Sequence, residues 1–502
     1  MRRFSKGAAL FLALVTPYVQ AQNSLRSWDA FHRSVIETLD FPRHRGLEAA
    51  VSVRALFSGR MVYAFHDAQP LHPASVNKLF TSYAALKVLH PSFQFHTQIF
   101  AEGALKGGVL KGNLFVKGFG DPNLVSEQLW RLVNDLRRTG LKRVEGNLIV
   151  DSSFFGQSGT PETRPSYLRD QAYNSPIGAL SFNFNTTSIF VLPGDTVGAL
   201  PRVYVDPENP YVDVVNQAKT TAEGVNHLHV SRLKYVPGDA GDTVLLRGTI
   251  PVSSPETVYY RNIVNPALYT GHMLTTFLSD RHITILGNVV EGTVPEHAQL
   301  LLDFKSRPLT QLVEDMNKFS NNFMADQLFF RVGAEIYSPP ASLSKGQQAM
   351  IKVLTEAGLA ASEFHIEDGS GLTRHTAVSA RAITELLWRA HHDVTLGPEF
   401  EASLSLAQED GTARKRFIGA EVAGKLRVKT GTMDGISALA GLCTNQAKET
   451  YLFSIVLNDR RQQWGNMRKW ADKIVMALEG SLLTPPTETH VPKSHSGVED
   501  LK

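Results

Sequence analysis

Hydrophobic and polar positions fall into two textures along this chain. Residues 51–57 (Val-Ser-Val-Arg-Ala-Leu-Phe) and 61–65 (Met-Val-Tyr-Ala-Phe) alternate on either side of Ser58-Gly59-Arg60. Alternation at period two around a turn predicts a β-hairpin. Pro73-Ala-Ser75 then opens a helix to about Leu89, with Val76, Leu79, Phe80, Tyr83, Ala84 and Val88 on one face. From about Thr97 to Ala298, strand-like runs separated by Gly, Asn and Pro take over: 112–118, 146–151, 187–193, 227–231 and 243–248. One helix near Val125–Leu136 interrupts them. Helical spacing returns at 310–334, 344–358 and 378–391. Strands follow at 424–430, 439–444 and 451–457, and then a helix from Trp464 to Leu478 with Met467, Trp470, Ile474 and Leu478 on one stripe. This order predicts an α/β (α+β) fold, with one domain built from 22–96 and 299–483 and a β-rich insertion at 97–298. Residues 484–502 read as a disordered tail.

Composition narrows the function classes. Residues 1–21 read as a secretion signal: Arg2, Arg3 and Lys6 precede an apolar stretch from Gly7 to Val15, and Val19-Gln20-Ala21 offers a cleavage site after Ala21. The apolar stretch falls short of the ~20 residues a membrane span needs. An exported, periplasmic protein with no integral membrane segment after cleavage is expected. The full chain carries 51 Lys+Arg against 48 Asp+Glu, and the three basic residues of the signal account for the excess. No basic field remains to argue for nucleic acid. Cys443, the single cysteine, lies in an apolar strand pattern, which excludes an intrachain disulfide and a cysteine metal cluster. No His-Glu-x-x-His, G-x-S-x-G or P-loop occurs among the 502 residues, and no cofactor or metal is expected. His391-His392 reads as a solvated pair on a helix.

Three short motifs stand in order: Ser75-Val-Asn-Lys78, Ser320-Asn-Asn322 and Lys429-Thr-Gly-Thr432. They match the Ser-x-x-Lys, Ser-x-Asn and Lys-Thr-Gly set of penicillin-binding proteins and serine β-lactamases. Each is weak alone, since Ser342-Leu-Ser-Lys345 and Ser181-Phe-Asn183 repeat two of the patterns. Ser342 follows Pro339-Pro340 and suits a helix start. Order selects Ser75, and so does chemistry. Positions i and i+3 share a helix face, so Lys78 can reach the Ser75 hydroxyl. A serine hydroxyl becomes a nucleophile when a base takes its proton, and a lysine serves as base when neutral. Lys429 could supply the cation that keeps it so. The N–H of Ser75, at a helix start, is free to bind an oxyanion. Ser320 breaks a helical pattern and could relay a proton to a leaving amine, while Asn322 could hold a substrate carbonyl. Gly431 lets a substrate backbone approach its strand, and Lys429 with Thr430 and Thr432 makes a carboxylate pocket.

The chain also resembles the class C low-molecular-mass penicillin-binding proteins, D-alanyl-D-alanine carboxypeptidase/endopeptidases, over roughly 25–480. Asp368-Gly-Ser-Gly-Leu-Thr-Arg374 is similar to the family's DGSGLSR segment, and Gly411-Thr-Ala-Arg-Lys-Arg-Phe417 to its GTLRxRF. Gly118-Phe-Gly-Asp-Pro122 and the segment from Tyr173 to Ser181 resemble parts of its insertion, which sits, as here, between the first and second motifs. The resemblance implies a transpeptidase-like domain that hydrolyses peptide bonds ending in D-alanine. Ser75 would be acylated with Lys78 as base, and Ser320, Asn322 and Lys429 would line the site. Thr430, Gly431, Thr432 and Met433 would bind substrate, the N–H of Thr432 completing the oxyanion hole. Asp151 and Arg374 match positions that read the zwitterionic end of a diaminopimelate side chain. Peptidoglycan stem peptides and β-lactams are the implied partners. A β-lactamase or esterase of the same superfamily is the rival among enzymes, and the insertion argues against it. A non-catalytic wall-binding homologue is the other rival, and the three intact motifs argue against that.

Overall fold

The computed structural model describes residues 25–486 apart from 41–43, 45, 157–158, 160–163, 165–167, 169, 234–240, 420, 460 and 462–463. The signal sequence with its cleavage site and nearly all of the C-terminal tail lie outside the described residues.

A six-stranded antiparallel sheet carries the first texture. Its order is Met61–Phe65, Leu47–Ala55, Thr450–Asp459, Ile436–Thr444, Leu426–Met433 and Ser405–Leu406. Both faces are buried, so period-two alternation sends each strand's residues into two separate cores. Leu439, Cys443, Phe453 and Ile455 meet the terminal helices Trp28–Leu39 and Trp464–Glu479. Ala438, Ala440, Leu452 and Val456 face a core shared with the helices Lys78–Leu89, Asn322–Tyr337, Leu343–Glu356 and Ala380–His392.

The predicted hairpin forms, its first strand starting four residues earlier than expected, and the helix of residues 378–391 forms within two residues of expectation. Other expectations are refined. Val76, Leu79, Phe80, Tyr83 and Ala84 are buried as expected, but so are Lys78, Thr81 and Ser82 on the opposite face. This helix runs through the interior, and periodicity alone does not reveal a second buried face. The helical stretch expected over 310–334 is two helices, Leu309–Lys318 and Asn322–Tyr337, and the break falls at Ser320, where the sequence interrupts the helical pattern. His391 is only half-buried and pairs with Glu401, so the expected solvated pair reduces to His392. Cys443 is fully buried, and burial pushes its thiol far above the usual range.

The inserted segment has its own core, in which Leu132, Leu148, Met273, Leu274 and Phe304 meet. A seven-stranded sheet and two three-stranded sheets carry most of it. Besides the helix Ser126–Arg138 it contains a second, Pro266–Ser279, which the sequence reading missed. Asn265 caps that helix by accepting the Leu268 N–H, a start signal that can be read directly from Asn-Pro. The strand Gln299–Lys305 pairs with His96–Lys106, so this sheet extends past residue 298.

Candidate active site

Four segments converge on one cavity of about 310 Å3, lined in part by Ser75, Ser320, Asn322, Arg374, Thr432 and Met433. The first is a single 3-10 turn, Ala74–Asn77, which runs into the buried helix Lys78–Leu89. Ala74 precedes the serine with φ +45°, a left-handed conformation uncommon for a residue with a side chain. His72 holds the approach. Its Nδ1 accepts the Ala74 N–H at 3.0 Å, so Nε2 carries the proton and donates to the Thr373 carbonyl at 2.9 Å. Burial lowers the basicity of this imidazole, in keeping with that neutral tautomer.

Lys78 lies one helical turn beyond Ser75, completely buried. Its Nζ is 2.8 Å from Ser75 Oγ, 2.7 Å from Asn322 Oδ1 and 2.9 Å from the Ser370 carbonyl. The Asn322 amide is oriented by its own Nδ2, which donates to the Tyr173 carbonyl at 2.9 Å. Two of the three partners of Lys78 can therefore only accept. A neutral amine donates two hydrogens to them and turns its lone pair to the Ser75 hydroxyl. Burial lowers the Lys78 pKa to about 7, against the pull of the Asp326 and Asp368 carboxylates and with help from the Arg164 charge.

The three residues of the second motif divide the work of a helix break. Ser320 adopts φ +56°, a left-handed turn that costs a non-glycine residue roughly 1–3 kcal/mol. Asn321 caps the following helix by accepting the Met324 N–H at 3.0 Å. Asn322 opens that helix and points to Lys78.

The third motif lies on the strand Leu426–Met433. Lys429 is buried and donates to Ser320 Oγ and to the Thr430 carbonyl, each at 2.9 Å. Burial, and secondarily the charge of Lys78, pushes its pKa well below that of an ordinary lysine. Thr430 donates its hydroxyl hydrogen to Thr412 at 2.8 Å, which ties Gly411-Thr-Ala to the back of the strand. Gly431 is required by contact: a Cβ there would lie 2.5 Å from the Pro73 carbonyl oxygen and 3.2 Å from the Ser75 nitrogen. The short strand Ser405–Leu406 pairs with this strand only at Arg427 and Val428. Among the described residues no strand pairs with its outer edge from Lys429 to Met433.

The fourth segment is Asp368–Arg374. The Asp368 carboxylate accepts the N–H groups of Gly371 and Thr373 at 2.6 and 3.1 Å, together with the Thr373 hydroxyl, and so shapes the turn. Gly371 has φ +73°, and a Cβ would lie 2.2 Å from the Ala74 carbonyl oxygen, so the turn packs directly on the serine segment. Asn77 reaches across to the carbonyls of Asp368 and Gly369. Arg374 is exposed and donates to the Asp434 carbonyl at 2.9 Å.

The structure does not bring Asp151 to this cavity. Its carboxylate is fully buried in the insertion, where it accepts the N–H groups of Ser153 and Val294 and pairs with Lys117 at 3.3 Å. Those partners hold its pKa below the usual carboxylate range despite burial. The motif reading singled out neither His72 nor Asn77, Arg164, Asp326 or Ser370. Asn77 sits inside the first motif and Ser370 inside Asp-Gly-Ser-Gly, so both could have been found. Arg164 carries no local signal. Ser342 behaves as a cap, accepting the Lys345 N–H at 3.2 Å.

The profile of the D-Ala-D-Ala carboxypeptidase 3 (S13) family matches residues 33–477. The chain belongs to that family. Among its relatives, a D-alanyl-D-alanine carboxypeptidase of Actinomadura sp. (strain R39) is 30% identical over 440 residues, 84% of this chain and 79% of that protein. The D-alanyl-D-alanine carboxypeptidase DacB of Haemophilus influenzae is 28% identical over 388 residues, 77% of this chain and 80% of that protein. The crystal structure of penicillin binding protein 4 from Haemophilus influenzae shares the fold at TM-score 0.76 and 24% identity, covering 88% of this chain and 98% of that one. A second structure of it, complexed with a β-lactam, gives TM-score 0.73 and 24% identity over 89% of this chain and 99% of that one. Among the described residues no helix is long and apolar enough to cross a membrane.

Proposed function

We propose that this family member is an exported serine hydrolase that removes the terminal D-alanine of peptidoglycan stem peptides through an acyl-enzyme on Ser75. The observation that carries the reading is the contact of Lys78 with Ser75 Oγ at 2.8 Å, with carbonyl acceptors occupying its other two donor positions. Ser75 Oγ attacks the carbonyl of the penultimate D-alanine, and its proton passes to Lys78. The N–H groups of Ser75 and Thr432 receive the developing oxyanion. The proton that Lys78 took from Ser75 passes through Ser320, which Lys429 holds at 2.9 Å, to the D-alanine nitrogen, which leaves as the amine while Lys78 becomes neutral again. Water then attacks the ester, Lys78 takes its proton and returns it to Ser75 Oγ as the ester bond breaks, and the shortened peptide departs.

Lys429 and Thr432 receive the terminal carboxylate, while Thr430, expected among the substrate-binding residues, donates its hydroxyl hydrogen to Thr412 and holds the strand from behind. The open strand edge at Gly431 and Thr432 takes the peptide backbone as an added strand, and Met433 and Arg374 face the rest of the stem. The same chemistry would cut a D,D cross-link, so endopeptidase action belongs to this reading. A β-lactam would acylate Ser75 and stay, as its leaving nitrogen remains tethered; the Haemophilus influenzae relative forms a complex with a β-lactam.

The test is intact mass after incubation with benzylpenicillin. The wild type should gain one penicilloyl group and Ser75→Ala none. An unmodified wild type, or an adduct that survives Ser75→Ala, overturns the reading. Release of D-alanine from a pentapeptide, measured alongside cleavage of a cross-linked dimer, assigns the two hydrolytic activities.

A further inference from the structure

Arg164 belongs to the inserted segment, yet its side chain is only 1% exposed and ends beside the catalytic lysine's surroundings. It pairs with Asp326, on the helix that follows the second motif, and lies 3.6 Å from Asp368. It also donates to Asn174 Oδ1 at 3.2 Å and to Ser370 Oγ at 3.3 Å. Ser370 joins this group to the lysine: its N–H donates to Asp326 at 3.0 Å, and its carbonyl accepts from Lys78 at 2.9 Å.

The buried charges then form a closed set. Lys78 is faced by Asp326 from the helix, Asp368 from the loop, Arg164 from the insertion and Lys429 from the strand. With Arg164 present, three potential cations meet two carboxylates, and the balanced state has one neutral lysine. Without it, Asp326 and Asp368 are left facing Lys78, and they favour its ammonium form. Unbalanced charge is strongly disfavoured in a buried site.

We propose that Arg164 is a positioning residue, through which the insertion keeps Lys78 neutral by occupying Asp326 and Asp368, the carboxylates that would otherwise retain the lysine's proton. This rests on the reading of Lys78 as the base for Ser75. Burial and the Arg164 charge both act to lower the Lys78 pKa, while the two carboxylates act to raise it. The insertion thereby contributes to the proton inventory of the site as well as to its walls.

The test is the pH dependence of single-turnover acylation by a fluorescent penicillin, measured on the full chain. Arg164→Gln should move the acidic limb up by about one pH unit, giving a roughly tenfold slower reaction below the limb and recovery above it. Arg164→Lys should keep the wild-type limb, since the cation remains. Asp326→Asn should move the limb down, and Arg164→Gln with Asp326→Asn should bring it back toward the wild type. A merely structural role predicts an equal loss at every pH. If the limb stays fixed in Arg164→Gln, or in Asp326→Asn where the first variant does not fold, the proposal is overturned. Absence of any adduct on the wild type overturns the Ser75 reading itself, and the role of Arg164 with it.

Discussion

Replacing Gly431 by alanine adds one methyl group where two parts of the site are closest. The strand carrying Lys429-Thr-Gly-Thr passes so near the Ser75 turn that a Cβ at 431 would lie 2.5 Å from the Pro73 carbonyl oxygen, 3.1 Å from the Val76 nitrogen and 3.2 Å from the Ser75 nitrogen. Ordinary contact begins near 3.4 Å, so strand and turn must separate by close to an ångström. The obstacle is backbone on both sides, so no side-chain rotation relieves it. Gly431 is not among the residues of positive φ, so alanine adds no conformational penalty of its own and the steric effect is isolated. Displacing a reacting group by about 1 Å costs on the order of a hundredfold in rate, or about 2.7 kcal/mol of transition-state stabilisation. Overpacking costs roughly 1–3 kcal/mol of stability. Gly431→Ala should therefore fold, melt several degrees lower and acylate about a hundred times more slowly. The assay is single-turnover labelling by fluorescent penicillin, with thermal unfolding on the same preparation. Acylation within threefold of the wild type would refute the argument that the close approach sets the geometry of attack.

Three further outcomes follow from the same geometry. Acylation of the wild type should rise as pH increases through about 7, because the lowered pKa of Lys78 leaves it protonated and unable to accept a proton below that point and neutral above it; a flat profile between pH 5 and 9 contradicts Lys78 as base. Asn322→Ala removes the acceptor at 2.7 Å from Lys78 and the donor to the Tyr173 carbonyl, so the acylation rate should fall roughly 10–100-fold, in the range of a misplaced general base, with the circular dichroism spectrum unchanged. Ser342→Ala removes a helix cap, so unfolding should show a loss of about 1 kcal/mol while penicillin labelling proceeds at the wild-type rate.

The three motifs were legible in the sequence because their spacing reports short-range geometry. Ser75 and Lys78 meet because one helical turn separates them, and no knowledge of the remaining chain is needed. The strands of the central sheet were legible because continuous apolar runs such as Ala438-Leu-Ala-Gly-Leu-Cys443 suit a strand buried on both faces. The burial of Lys78 was not legible, since it follows from the helices packed around its helix. Asp151 illustrates the same limit. Its place in Leu-Ile-Val-Asp aligns it with a recognition residue, but the turn that follows and Lys117 from the neighbouring strand claim its carboxylate.

The sequence by itself determined the three motifs and the order in which they occur along the chain. It also determined the two textures that set the insertion apart, through local periodicity and turn chemistry. Only the tertiary structure decided how deeply those residues are buried and which charges surround them. Ser75, Ser320 and Lys429 are each more than a hundred positions apart, and the cation at Arg164 enters from the inserted segment. A lysine becomes a base when burial and the sum of surrounding charges disfavour its proton. Those two quantities depend on packing between distant segments, which no short window of sequence contains.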